Sequence, residues 1–152
     1  MSDTIETSGD KTGTAPSPTR LLIGERDPFM RRALERALAS RFTLTFADDG
    51  VDLLQRALQE PPDLILLEAL LPVKDGFQVC RELKGNPVTR HIPVIFFTLL
   101  FAEERARLAG SDAFISKPLH EEELIKTILR FLRSNESEAF HGTNPHEYPR
   151  TG

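Results

Sequence analysis

The chain has one cysteine, Cys80, in 152 residues, which excludes an internal disulfide. Its four histidines, His91, His120, His141 and His146, stand at no ligand spacing with that cysteine or with paired acids, so no metal site is assigned to them. The 19 lysines and arginines are spread along the chain and the formal net charge is -4, which argues against nucleic acid as a main partner. The longest apolar run, "VIFFTLLFA" at 94–102, is too short to cross a bilayer of ~30 Å. No basic-led apolar leader opens the sequence, so a cytoplasmic protein with no membrane contact is expected. None of the nine glycines forms a G-x-G-x-x-G or P-loop pattern after the first strand, which sets aside a nucleotide or flavin binder and leaves no cofactor to assign.

Both ends also lack an apolar period. Residues 1–19 and 134–152 are rich in Ser, Thr, Gly, Pro and charged groups and are expected to be disordered tails. One folded domain over about 20–133 is expected, with no output domain of its own.

Within that span short apolar runs alternate with amphipathic stretches. "LLIG" (21–24) reads as a strand, followed by Asp27 as N-cap, Pro28 at the first helical position, and Met30, Ala33, Leu34, Ala37 and Leu38 at helical spacing. "FTLTFA" (42–47) alternates Phe42, Leu44 and Phe46 with polar neighbours, as an edge strand does; Asp48 or Asp49 then caps a helix through Leu54 and Leu58. "DLILL" (63–67) precedes a helix from about Gly76 with Phe77, Cys80 and Leu83 on one face, which makes Cys80 a small buried hydrophobe. "PVIFFT" (93–98) precedes a short fourth helix near 102–109. "AFIS" (113–116) precedes a last helix over Glu121 to Arg133, with Leu124, Ile128, Phe131 and Leu132 inward.

Five such units with continuously apolar central strands predict a doubly wound α/β domain, a five-stranded parallel sheet covered on both faces, in the flavodoxin-like order 2-1-3-4-5. In these sheets the crevice lies beyond the carboxyl ends of the strands, where the winding reverses. Glu25 and Arg26 follow strand 1, Glu68 follows strand 3, Thr98 ends strand 4, and Lys117 with Pro118 follows strand 5, so all five point to one pocket. Water is the cheaper place for an isolated carboxylate, so Glu68 at the end of a buried strand needs a partner.

"LLPVKDG" after strand 3, a hydroxyl residue ending strand 4, "GSDAF" leading into strand 5 and "SKP" after it together resemble the receiver domain of bacterial two-component response regulators, over nearly all of 20–133. The resemblance implies that the position of Glu68 is that of a phosphoryl-accepting aspartate. Glu25 and Arg26 then match two acidic residues that help hold Mg²⁺, Thr98 and Lys117 the groups that contact the phosphoryl oxygens, and Phe114 an aromatic switch position.

The chain departs from that pattern in ways that bear on chemistry. Glutamate is one methylene longer than aspartate, and a misplacement of about 1 Å can cost ~10²-fold in rate. Arg26 replaces a carboxylate, so Glu25, Arg26, Glu68 and Lys117 sum to zero and leave no charge for a divalent cation. Arg26 and Lys117 are therefore expected to hold Glu68, each pair contributing up to ~4 kcal/mol at 4 Å before desolvation is subtracted. The stretch from Thr98 to Gly110 is about three residues shorter than in the family, so the fourth helix is expected to be short or shifted. Leu99, Leu100 and Phe101 leave the sheet there; they either fill core space or form a partner patch.

The expectation is a degenerate receiver, a stand-alone pseudo-receiver and not an enzyme, acting without phosphorylation on protein partners of a bacterial signalling pathway, through the face of helix 4, strand 5 and helix 5, or on a second copy of itself. The alternative is a working response regulator phosphorylated by a histidine kinase. Thr98 as a plain strand-former and Phe114 as a plain core residue remain open beside their pocket roles.

Overall fold

The computed structural model describes residues 18–136. Parts of the two expected tails, 1–17 and 137–152, lie outside the described residues. Strands β1 (Arg20–Gly24), β2 (Thr43–Ala47), β3 (Leu64–Leu67), β4 (Val94–Thr98) and β5 (Ala113–Ser116) alternate with helices α1 (Pro28–Leu38), α2 (Gly50–Gln59), α3 (Gly76–Gly85), α4 (Glu103–Leu108) and α5 (Glu121–Glu136). All strand pairs are parallel and the order is β2-β1-β3-β4-β5, the doubly wound sheet that the apolar pattern predicts.

The local signals act as their chemistry requires. Asp27 accepts from the amides of Phe29 and Met30, and Pro28 opens α1 without forfeiting a donor. Asp49, rather than Asp48, caps α2 through the Asp52 amide, and Asp75 caps α3 through the Gln78 amide. β3 and β4 are buried throughout because helices cover both faces.

Alternation along the strands divides the core into two layers. Leu22, Ile65, Leu67, Phe96 and Phe114 pack under α2, α3 and α4. Leu21, Ile23, Leu64, Leu66, Phe97 and Ile115 pack under α1 and α5.

Some boundaries and burials differ from expectation. Asp63 stays outside β3 because its carboxylate accepts from the Arg20 amide at 2.8 Å, tying the starts of two neighbouring strands. Leu58 is exposed, and Leu53 and Ala57 make the inward face of α2 instead. α5 continues past Arg133 to Glu136. α4 has six residues, as the shortened loop implies. It is anchored by buried Ala106 and by the Arg105 guanidinium 4.0 Å from the Phe77 ring centre.

Candidate functional site

Parallel register brings the pocket together. Gly24 is level with Leu67, and the Glu68 amide donates to the Gly24 carbonyl at 2.9 Å, so Glu25 and Glu68 leave the sheet side by side. Thr98 is level with Ser116, and the Lys117 amide donates to the Thr98 carbonyl at 2.9 Å. Four residues distant in sequence thus meet above the ends of β1, β3, β4 and β5. The Lys117–Pro118 peptide bond is cis.

Lys117 lies at the centre. Its Nζ donates to Glu25 Oε1 at 2.8 Å and to Glu68 Oε1 at 2.9 Å, and all three side chains are about nine-tenths shielded from water. The Phe97 ring lies 5.6 Å from the same ammonium. Each carboxylate's second oxygen is also occupied. Glu25 Oε2 accepts from the Asp27 amide at 3.1 Å; Glu68 Oε2 accepts from the Thr98 hydroxyl and, at 2.9 Å, from the Leu70 amide.

These contacts set the ionisation. Burial pushes the Glu68 carboxyl up, but hydrogen bonds from Lys117, Thr98 and Leu70, with the lysine charge, outweigh it and hold the group below the usual carboxylate range. Burial pulls the Lys117 ammonium down, and the two carboxylates outweigh that, leaving it above its ordinary value. Both groups are charged near neutrality.

Arg26 differs from expectation. Its side chain is exposed, and among the described residues no hydrogen bond or ion pair joins it to Glu68. The reason is local: with Glu25 turned inward and Asp27 turned to the α1 amides, the residue between them faces water. The enclosed group is therefore two carboxylates and one ammonium, a formal charge of -1 in place of the expected zero.

Phe114 is buried in the α2–α4 layer. Leu99 and Phe101 are 72% and 99% exposed, while Leu100 between them packs inward and its amide reaches the Thr98 hydroxyl at 3.3 Å. Core filling therefore accounts for Leu100 alone. The two backbone donors, Leu70 and Asp27, were not readable from residue types, since every non-proline residue carries an amide.

Two further features are quiet. Cys80 is buried, and that burial pushes its thiol up to about 12, leaving no thiolate for chemistry. A cleft of about 460 Å³ at the other end of the sheet includes Arg20 and Arg56, but the first caps the Pro61 and Glu60 carbonyls and the second pairs with Asp52.

The family model for the response regulator receiver domain matches residues 21–129. The chain belongs to the response regulator receiver family. It is 37% identical to response regulator PleD of Caulobacter vibrioides over 119 residues, 74% of this chain and 26% of that protein. It is 32% identical to response regulator MprA of Mycobacterium tuberculosis over 121 residues, 78% of this chain and 53% of that protein. The match thus spans about a quarter and about half of these curated relatives.

Among solved structures, the receiver domain of sensor histidine kinase PA1611 from Pseudomonas aeruginosa superposes with a TM-score of 0.73 at 28% identity, over 78% of this chain and 100% of that one. That structure has magnesium coordinated in its active-site cleft. A response regulator from Chloroflexus aurantiacus gives 0.74 at 26% identity, over 77% and 99%.

A receiver's divalent cation fits this pocket poorly. Lys117 already bridges the two carboxylates, Asp27 is turned to α1, and among the described residues no three His, Cys, Asp or Glu side chains are placed to share a metal. A hard cation that wants several oxygen ligands would have to displace the ammonium first.

Proposed function

We propose that this receiver domain signals through protein contacts without being switched by phosphorylation, as a binding module rather than an enzyme. One observation carries it: the Glu68 carboxylate, on a side chain one methylene longer than aspartate, is held at both oxygens by Lys117, Thr98 and the Leu70 amide. Both oxygens already accept hydrogen bonds, so an attack in line with a phosphodonor would have to break or reorient those contacts first. Arg26, beside Glu25, supplies no ligand for the metal that would support such a transfer.

The proposed contact surface is the α4, β5 and α5 face, led by exposed Leu99 and Phe101 with Leu100 as their anchor. Partners are proteins of a bacterial signalling pathway. Among the described residues no helix is long and apolar enough to cross a membrane, and a cytoplasmic setting belongs to the same proposal. Calorimetric titration with magnesium tests it. The proposal predicts no saturable heat at millimolar metal, and a saturable isotherm abolished by Glu25→Gln contradicts it.

A further inference from the structure

We infer that Gly76, at the first position of α3, is a positioning residue for the Glu68 carboxylate, because only a residue without a side chain lets the helix close on the Glu68 peptide. A Cβ placed on Gly76 would lie 2.5 Å from the Glu68 carbonyl oxygen, 2.9 Å from Ala69 Cα and 3.1 Å from the Phe96 ring. Two of those three atoms belong to backbone, which cannot swing aside as a flexible side chain can. The constraint is one of space alone, since the only glycine with a positive φ among the described residues is Gly110.

The closeness bears on the pocket through a short chain of contacts. The Gly76 amide donates to the Ala69 carbonyl at 2.8 Å, so α3 holds the 68–70 backbone directly. One residue further, the Leu70 amide donates to Glu68 Oε2, the oxygen that also accepts from Thr98. The backbone of 68–70 is thus clasped between the first turn of α3 on one side and its own glutamate side chain on the other. A side chain at 76 must push this segment away from α3 by several tenths of an ångström. Hydrogen bonds weaken steeply with misalignment, so the Leu70 and Thr98 contacts to Oε2 go first.

This role rests on the pocket proposed above, but not on how that pocket is used; magnesium binding could contradict the function and leave the clasp standing. A merely structural glycine would lower stability and nothing else, and Gly50 supplies that comparison. A Cβ there would meet the Lys74 carbonyl oxygen at 2.0 Å, in the same β3–α3 loop but away from Glu68.

The experiment is NMR on the described domain in its full chain, reading the carboxyl titration of Glu68 and the exchange of the Leu70 amide. For Gly76→Ala the Glu68 carboxyl is expected to titrate upward, toward the ordinary glutamate range, and the Leu70 amide to exchange about tenfold faster. For Gly50→Ala both are expected to stay as in the parent while stability falls. Unchanged readings in Gly76→Ala, or equal changes in Gly50→Ala, overturn the inference. Should Gly76→Ala not fold, the parent protein decides. Native-state exchange should show the Leu70 and Gly76 amides opening in one event with the same denaturant dependence, and a Leu70 amide that opens while Gly76 stays protected contradicts the clasp.

Discussion

Lys117 donates to Glu68 Oε1 at 2.9 Å across 49 residues of sequence, with both side chains about nine-tenths buried. Such a contact is weak evidence of net stabilisation, because desolvating both ions offsets much of their attraction. Removing one partner is a different matter. Lys117→Met leaves Glu25 and Glu68 facing each other without a counter-charge, and the expected loss is about 3–5 kcal/mol in urea unfolding. A loss below about 1 kcal/mol would show that the ammonium is not the keystone of the pocket.

The pH dependence follows from the two shifts. Glu68 is held below its unfolded value, so its contribution is present above about pH 4.3 and is lost as the pH falls through the lower folded value. Lys117 is held above its unfolded value, so its contribution is complete below about pH 10.4 and disappears as the pH rises through the higher folded value. Stability measured by denaturant should therefore fall at both extremes. Glu68→Gln should flatten the acid side.

Val73 sits at φ 70 in a tight turn closed by the Lys74 amide on the Pro72 carbonyl at 2.7 Å, and its side chain is 81% exposed. A β-branched residue there is strained by roughly 1–3 kcal/mol, more than the freedom glycine loses on folding. Val73→Gly should raise stability by about 1 kcal/mol in urea unfolding. A loss would show that the turn is not strained in solution.

Leu99, Leu100 and Phe101 should separate in a mutation series. Leu99→Ser and Phe101→Ser remove exposed side chains and are expected to change stability by no more than about 0.5 kcal/mol, whereas Leu100→Ala should cost about 1–2 kcal/mol. If the two serine variants destabilise as much as the alanine variant, the exposed pair is packing and not surface.

The fold was legible because two periods are strong signals. Unbroken apolar runs at 64–67 and 94–97 demanded cover on both faces, and Asp27 and the Asp48–Asp49 pair marked helix starts by their own chemistry. Glu25, Glu68, Thr98 and Lys117 were brought to one end by topology alone, since each follows or ends a parallel strand. Side-chain direction was not legible. Nothing in "GERDP" says that Glu25 turns in and Arg26 turns out; that is decided by the Asp27 amide taking one oxygen and the α1 cap taking the next carboxylate. Leu58 failed for a similar reason, since the apolar stripe of α2 is narrower than its count of leucines.

Intact mass measurement after incubation with a small-molecule phosphodonor and magnesium tests the central claim, that Glu68 is already committed to Lys117 and Thr98 and takes no phosphoryl group. The parent protein should keep an unchanged mass. A phosphoryl adduct that vanishes in Glu68→Ala would contradict it.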